Sequence, residues 1–125
     1  MDNEKKVILI IDDEESMRDY MRAILEKKGY IVIEAENGVG ALNSFATFEI
    51  DLIITDLVMP EKEGIEVIIN MKKQKCNVKI IAISGAMNSE MYLAMAERLG
   101  ASATLEKPFD RDTFLSTVER VLNSL

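Results

Sequence analysis

Two spacings of apolar residues alternate along this chain. The run VILII, Val7–Ile11, is continuously apolar, whereas Met17, Tyr20, Met21, Ile24 and Leu25 recur at i, i+3, i+4, i+7 and i+8. The first pattern suits a buried strand and the second an amphipathic helix. Gly29 stops that helix. The alternation continues with a strand at Ile31–Ala35 and a helix over 38–48, then a strand over 51–55 and a helix over 63–73 carrying Ile65, Ile68 and Ile69. A strand over 78–84 precedes a helix over 89–99, for which Asn88 is the expected N-cap. The last strand spans 102–107, and Asp110 caps a final helix whose stripe is Phe114, Leu115, Val118, Val121, Leu122 and Leu125.

Strands alternating with helices predict an α/β fold, a doubly wound five-stranded parallel sheet with five helices covering both faces. The strand runs beginning at Val7, Leu52 and Lys79 are the most apolar and are expected at the centre, with the second and fifth strands at the edges. Residues 1–125 read as one domain, with no repeat, low-complexity segment or linker. Apolar residues make up 48% of the chain and charged residues 30%, the balance of a folded globular domain.

The net charge of −7 argues against direct binding of nucleic acid and favours a cation or a basic partner surface. Cys76, the single cysteine, has no disulfide partner and no zinc-ligand spacing around it, so a reducing, cytoplasmic setting is expected. The apolar segment before Asp12 is too short for a signal sequence or a membrane span.

In an open α/β sheet, ligands bind beyond the carboxyl ends of the strands. In this chain those ends carry Asp12 and Asp13, Asp56, Ser84 with Gly85, and Lys107 with Pro108 and Phe109. Taken singly, each has an ordinary explanation. Asp13 is a helix cap, Asp56 a polar strand terminus, Lys107 a loop lysine, and Ser84-Gly85 a turn. Met91 and Met95, at helical spacing, read as core packing.

Taken together, three acids on one rim repel one another unless positive charge intervenes. Lys107 and a divalent cation with oxygen ligands supply it. Mg²⁺ fits, because it accepts one or two carboxylates, retained waters and a phosphoryl oxygen.

The set Asp12-Asp13, Asp56 with Met59-Pro60 and Gly64, Ser84-Gly85-Ala86, and Lys107-Pro108-Phe109 resembles the receiver domain of two-component response regulators, the CheY-like fold. The resemblance implies strand order 2-1-3-4-5 and a cis Lys107–Pro108 bond. It also implies that Asp56 accepts a phosphoryl group, that Asp13 binds Mg²⁺ directly and Asp12 mostly through water, and that the main-chain carbonyl of Val58 is a further ligand. Lys107 would pair with Asp56 and then with the phosphoryl group, which the Ser84 hydroxyl would also bond.

The implied partners are a histidine kinase or a histidine phosphotransfer domain. A homodimer or downstream effector would dock on the face of the fourth helix, fifth strand and fifth helix. A receiver-shaped interaction module that takes no phosphate, and a Mg²⁺-dependent phosphohydrolase of the haloacid-dehalogenase type, stand as rivals. The second wants another acid where this chain has Val58. Thr104 stands where many receivers carry an aromatic switch residue, which leaves the signal to travel through Ser84 and the loop after it or to reach a different face. Val58 and Ala86, two positions beyond Asp56 and Ser84, cannot orient a water by side-chain hydrogen bonds, so a long-lived acyl phosphate is expected.

Overall fold

The computed structural model describes residues 6–57, 63–85 and 89–124. The roles expected for the Val58 carbonyl, Met59-Pro60, Ala86, Asn88 and Leu125 therefore lie outside the described residues. The elements run β1 (Val7–Ile11), α1 (Glu15–Lys27), β2 (Ile31–Ala35), α2 (Gly38–Thr47), β3 (Leu52–Asp56), α3 (Glu63–Gln74), β4 (Ile80–Ser84), α4 (Ser89–Arg98), β5 (Ala103–Glu106) and α5 (Arg111–Leu122).

All strand pairs are parallel and the order is β2-β1-β3-β4-β5. The three most apolar strands are central, as their composition predicts, and every residue of β3 and β4 is buried. Side chains of a strand alternate between faces, so each central strand feeds two cores. Ile8, Ile10, Leu52, Ile54, Ile81 and Ile83 pack with α1 and α5, against Met21, Leu25, Phe114 and Val118. Leu9, Ile11, Ile53, Ile80 and Ala82 pack on the other face with Ala41, Ile68, Met71 and Ala96 from α2, α3 and α4. Burial on both faces explains why these strands read as continuous apolar runs without alternation.

The strand and helix limits shift by a residue or two from the sequence expectations. The largest consequence is at β3. Asp51 leaves the strand and its carboxylate accepts a hydrogen bond of 2.7 Å from the Val7 N–H, while Asp56 stays in the sheet, in register with Ile83. The acid is thus held by the ladder itself. Asp110 caps α5 as expected, accepting from the Thr113 N–H at 2.7 Å, and Gly29 ends α1 with a φ of 94°.

Four side chains depart from the expected stripes. Tyr20 is exposed on α1 and lies beside Phe109, with ring centroids 6.3 Å apart, and Ile69 yields its place in the core to Val67. Met91 and Met95, expected in the core, are 52% and 40% exposed, because Ala96 occupies the face of α4 that meets the sheet. One helical stripe is too narrow to bury every apolar residue of so short a helix.

Gly64, in the first turn of α3, sits hard against the end of β3. A Cβ there would lie 2.3 Å from the Asp56 carbonyl oxygen and 2.5 Å from the Leu57 Cα. Backbone cannot yield as a side-chain tip does. We therefore expect Gly64→Ala to lower the unfolding free energy by about 2 kcal/mol, the scale of core overpacking, measured by urea denaturation.

Candidate functional site: an acid cluster braced by Lys107

The carboxyl ends of β1, β3, β4 and β5 meet on one rim, joined by main-chain bonds beyond the strands. The Leu57 N–H donates to the Ile83 carbonyl at 2.8 Å, and the Lys107 N–H donates to the Ser84 carbonyl at 2.9 Å. The second bond sets the root of the lysine beside β4. The Lys107–Pro108 bond is cis, as the resemblance implies.

From there the ammonium reaches back across the sheet. Lys107 Nζ donates to Asp56 Oδ2 at 3.2 Å, to Asp12 Oδ2 at 3.1 Å and to Glu14 Oε1 at 3.3 Å. An ammonium has three donors, and three carboxylates take them. Sequence reasoning anticipates the pairing with Asp56 but misses those with Asp12 and Glu14. The bulk of the lysine stem lies against Gly85, where a Cβ would come within 2.7 Å of the Lys107 Cβ.

Asp12 and Asp56 are buried, whereas Asp13 is exposed, and carboxylate oxygens of the three lie within 4.8 Å of one another. At that spacing, with an effective dielectric of about 20, each pair of like charges costs roughly 3 kcal/mol or more. Lys107 against the three aspartates Asp12, Asp13 and Asp56 leaves two negative charges in the cluster, which a single divalent cation would cancel, with the exposed Glu14 outside it. The all-oxygen donor set and its open, exposed third acid fit a hard cation that keeps part of its water shell.

Burial pushes the Asp12 carboxyl above its ordinary value, against the pull of the Glu14 N–H and of Lys107. For Lys107, burial favours the neutral amine, but the charges of Asp56 and Asp12 outweigh it and hold the ammonium above its ordinary value. The lysine is therefore charged throughout the neutral range. The two directions do not conflict, since Asp12 is almost wholly enclosed and Lys107 answers to two acids at once.

Ser84 is fully buried at the end of β4, and its hydroxyl shares a hydrogen bond of 3.2 Å with the Ser89 hydroxyl at the start of α4. The two serines bracket the loop between β4 and α4.

A residue group behind Asp12 also escapes sequence reasoning. Arg18 Nη1 donates to the Asp12 carbonyl at 2.6 Å, and its Nε donates to Glu34 Oε1 at 2.9 Å. Arg22 Nη1 pairs with the other oxygen of Glu34. The signal for this cluster was a lone acid in an otherwise apolar strand, Glu34, opposite arginines at i and i+4 of α1.

The family model for the response regulator receiver domain matches residues 8–119. This chain belongs to the response regulator receiver family. The receiver is 34% identical over 119 residues to the chemotaxis protein CheY of Halobacterium salinarum, covering 95% of this chain and 98% of that protein. The CheY-like receiver domain protein of Methanospirillum hungatei superposes with a TM-score of 0.88 at 28% identity, over 95% of this chain and 94% of that one. The response regulator TrrA of Thermotoga maritima, solved in complex with Mg(2+)-BeF, has a TM-score of 0.82 at 32% identity, covering 93% of this chain and 98% of TrrA. Receiver domains are signalling domains of two-component systems rather than turnover enzymes, and the CheY-like topology of this one is as its sequence predicts. Among the described residues, no helix is long and apolar enough to cross a membrane.

Burial alone would raise the Glu34 carboxyl, yet its bonds to Arg22 and Arg18 hold it below the ordinary 4.5. A carboxyl depressed by folding stabilises the native state above its unfolded value and loses that contribution as pH falls through the folded one. The stability advantage of wild type over Glu34→Gln should thus be constant from pH 7 down to about 4.5 and shrink below that, as read from urea midpoints at successive pH values.

Proposed function

We propose that this receiver accepts a phosphoryl group on Asp56 from a phosphohistidine of a partner histidine kinase or histidine phosphotransfer domain, in a Mg²⁺-dependent reaction. The observation that carries this reading is the meeting of Asp12, Asp13 and Asp56 within one cluster with Lys107 bonded across it. The Mg(2+)-BeF complex of the related TrrA supports the choice of ion.

A carboxylate is a weak nucleophile toward phosphorus, so positioning and charge neutralisation must supply the catalysis. A carboxylate oxygen of Asp56 forms the new bond to phosphorus as the P–N bond of the donor histidine breaks, and the imidazole keeps the electron pair and takes up a proton. The sheet ladder holds Asp56 at the rim while this happens. Lys107 is the cation already at hand, and it turns from Asp56 Oδ2 to an oxygen of the incoming group. Ser84 would exchange its bond with Ser89 for one to the acyl phosphate. Asp12, Asp13, Asp56 and the Val58 carbonyl would hold Mg²⁺. When bound, the ion neutralises charge on the equatorial oxygens of the transferring group.

New negative charge at Asp56 and the inward turn of Ser84 bias the loop into α4, which is a local electrostatic event read at a surface. We assign that surface to α4, β5 and α5, where exposed Met91 and Met95 offer apolar area to a second copy or a downstream effector. In this reading residues 1–125 act as a receiver domain in the cytoplasm and catalyse their own phosphorylation without being a turnover enzyme.

Incubation with acetyl phosphate and MgCl₂, followed by intact-mass measurement, is the direct test. Wild type should gain one phosphoryl mass, while Asp56→Asn, and wild type in excess EDTA, should gain none. An unmodified wild type under these conditions, or equal labelling of Asp56→Asn, would reject phosphoryl transfer to Asp56 and leave the interaction-module reading in its place.

A further inference from the structure

The main chain of Asp12 has left the sheet on both sides. The register of β1 with β2 ends at Ile11 opposite Ala35, and with β3 at Ile11 opposite Thr55. Its N–H still reaches the Ala35 carbonyl, at 3.2 Å, but its own carbonyl lies beyond the last ladder pair. Arg18 supplies the missing donor, through the 2.6 Å bond from Nη1. The side chain of Arg18 is only 12% exposed and is aimed by Glu34, which Arg22 holds from the other side.

We propose that Arg18, oriented by Glu34, is a positioning residue that sets the affinity of the acid cluster for its divalent cation. The inference rests on the Mg²⁺ site proposed above. A metal ligand held by further hydrogen bonds binds more tightly than one free to turn, because the ordering is done before the ion arrives. Asp12 has such bonds at every polar end. Its Oδ1 accepts from the Glu14 N–H at 2.9 Å, its Oδ2 accepts from Lys107, and its N–H and carbonyl are fixed by Ala35 and Arg18. A turn of the peptide plane after Asp12 would swing the adjoining Asp13 as well, so one bond governs the placing of two acids.

The guanidinium fork matters more than its charge. Nε and Nη1 point to Glu34 and to the Asp12 carbonyl at the same time, a geometry a lysine cannot copy. Arg18 and Arg22 are balanced by Glu34 and Glu26, so the group as a whole adds little net field at the acids.

The experiment is isothermal titration of the unphosphorylated protein with MgCl₂, with urea stability measured in parallel. Arg18→Met should weaken Mg²⁺ binding about tenfold, the scale of outer-sphere substitutions at metal sites, and Arg18→Lys by about threefold. Arg22→Met removes an ion pair to the same Glu34 without touching Asp12, and should leave the affinity within about twofold of wild type whatever its stability. Wild-type affinity in both Arg18 variants would overturn the inference, as would an equal weakening in Arg22→Met, which would mark a general effect of loosening α1. Should Arg18→Met fail to fold, Arg18→Lys against Arg22→Met decides by the same comparison. A flat titration of wild type itself would instead reject the Mg²⁺ site, and the role of Arg18 with it.

Discussion

The constraint on which the rest of this receiver depends is the enclosure of two carboxylates, Asp12 and Asp56, at the ends of adjacent central strands. Desolvation and mutual repulsion both work against negative charge placed in that way. Lys107 opposes that balance from the far side of the sheet with a hydrogen bond to each acid, although burial still prevails at Asp12. The backbone cooperates, with Asp56 held inside the ladder, the lysine root bonded to the end of β4, and Gly64 allowing α3 to close against the strand that carries the acid. Fold and site are therefore one arrangement. The parallel order that buries the apolar strands on both faces also brings their polar ends to a common edge.

A large share of this was legible in the residues themselves. Continuous apolar runs such as residues 80–83 and the helical spacing of Met21, Ile24 and Leu25 specify buried strands and packed helices with little ambiguity, since burial is what those patterns encode. The rim acids and Lys107 stood out because charges at the ends of apolar runs need an explanation. Asp51 shows where this logic stops. It looked like the first residue of a strand, but its side chain takes the Val7 N–H and the strand begins one residue later. Hydrogen bonds between side chain and backbone leave no periodic trace.

The same limit hid the supports of the site. Glu14 belongs to no pattern along the chain, and Arg18, Arg22 and Glu34 belong to two elements whose juxtaposition is known only once β2 is placed beside β1. Lys79 is similar, since its ammonium donates to the Leu122 and Ser124 carbonyls and so ties the end of α5 to the entrance of β4. Met91 and Met95 failed for another reason. Periodicity identifies a stripe but not its width, and Ala96 with its half-buried neighbours already fills the contact between α4 and the sheet.

The contact between Gly85 and the stem of Lys107 has a further consequence. Any side chain at position 85 and the methylenes of the lysine would claim one volume, so the absence of a Cβ there acts as a reserved seat for the aliphatic part of the cation. The backbone just past β4 thus rests directly on the residue that balances the acids. A substitution at Gly85 would therefore push on the lysine stem and shift the ammonium away from the acids it bonds, a steric route into the charge balance of the rim.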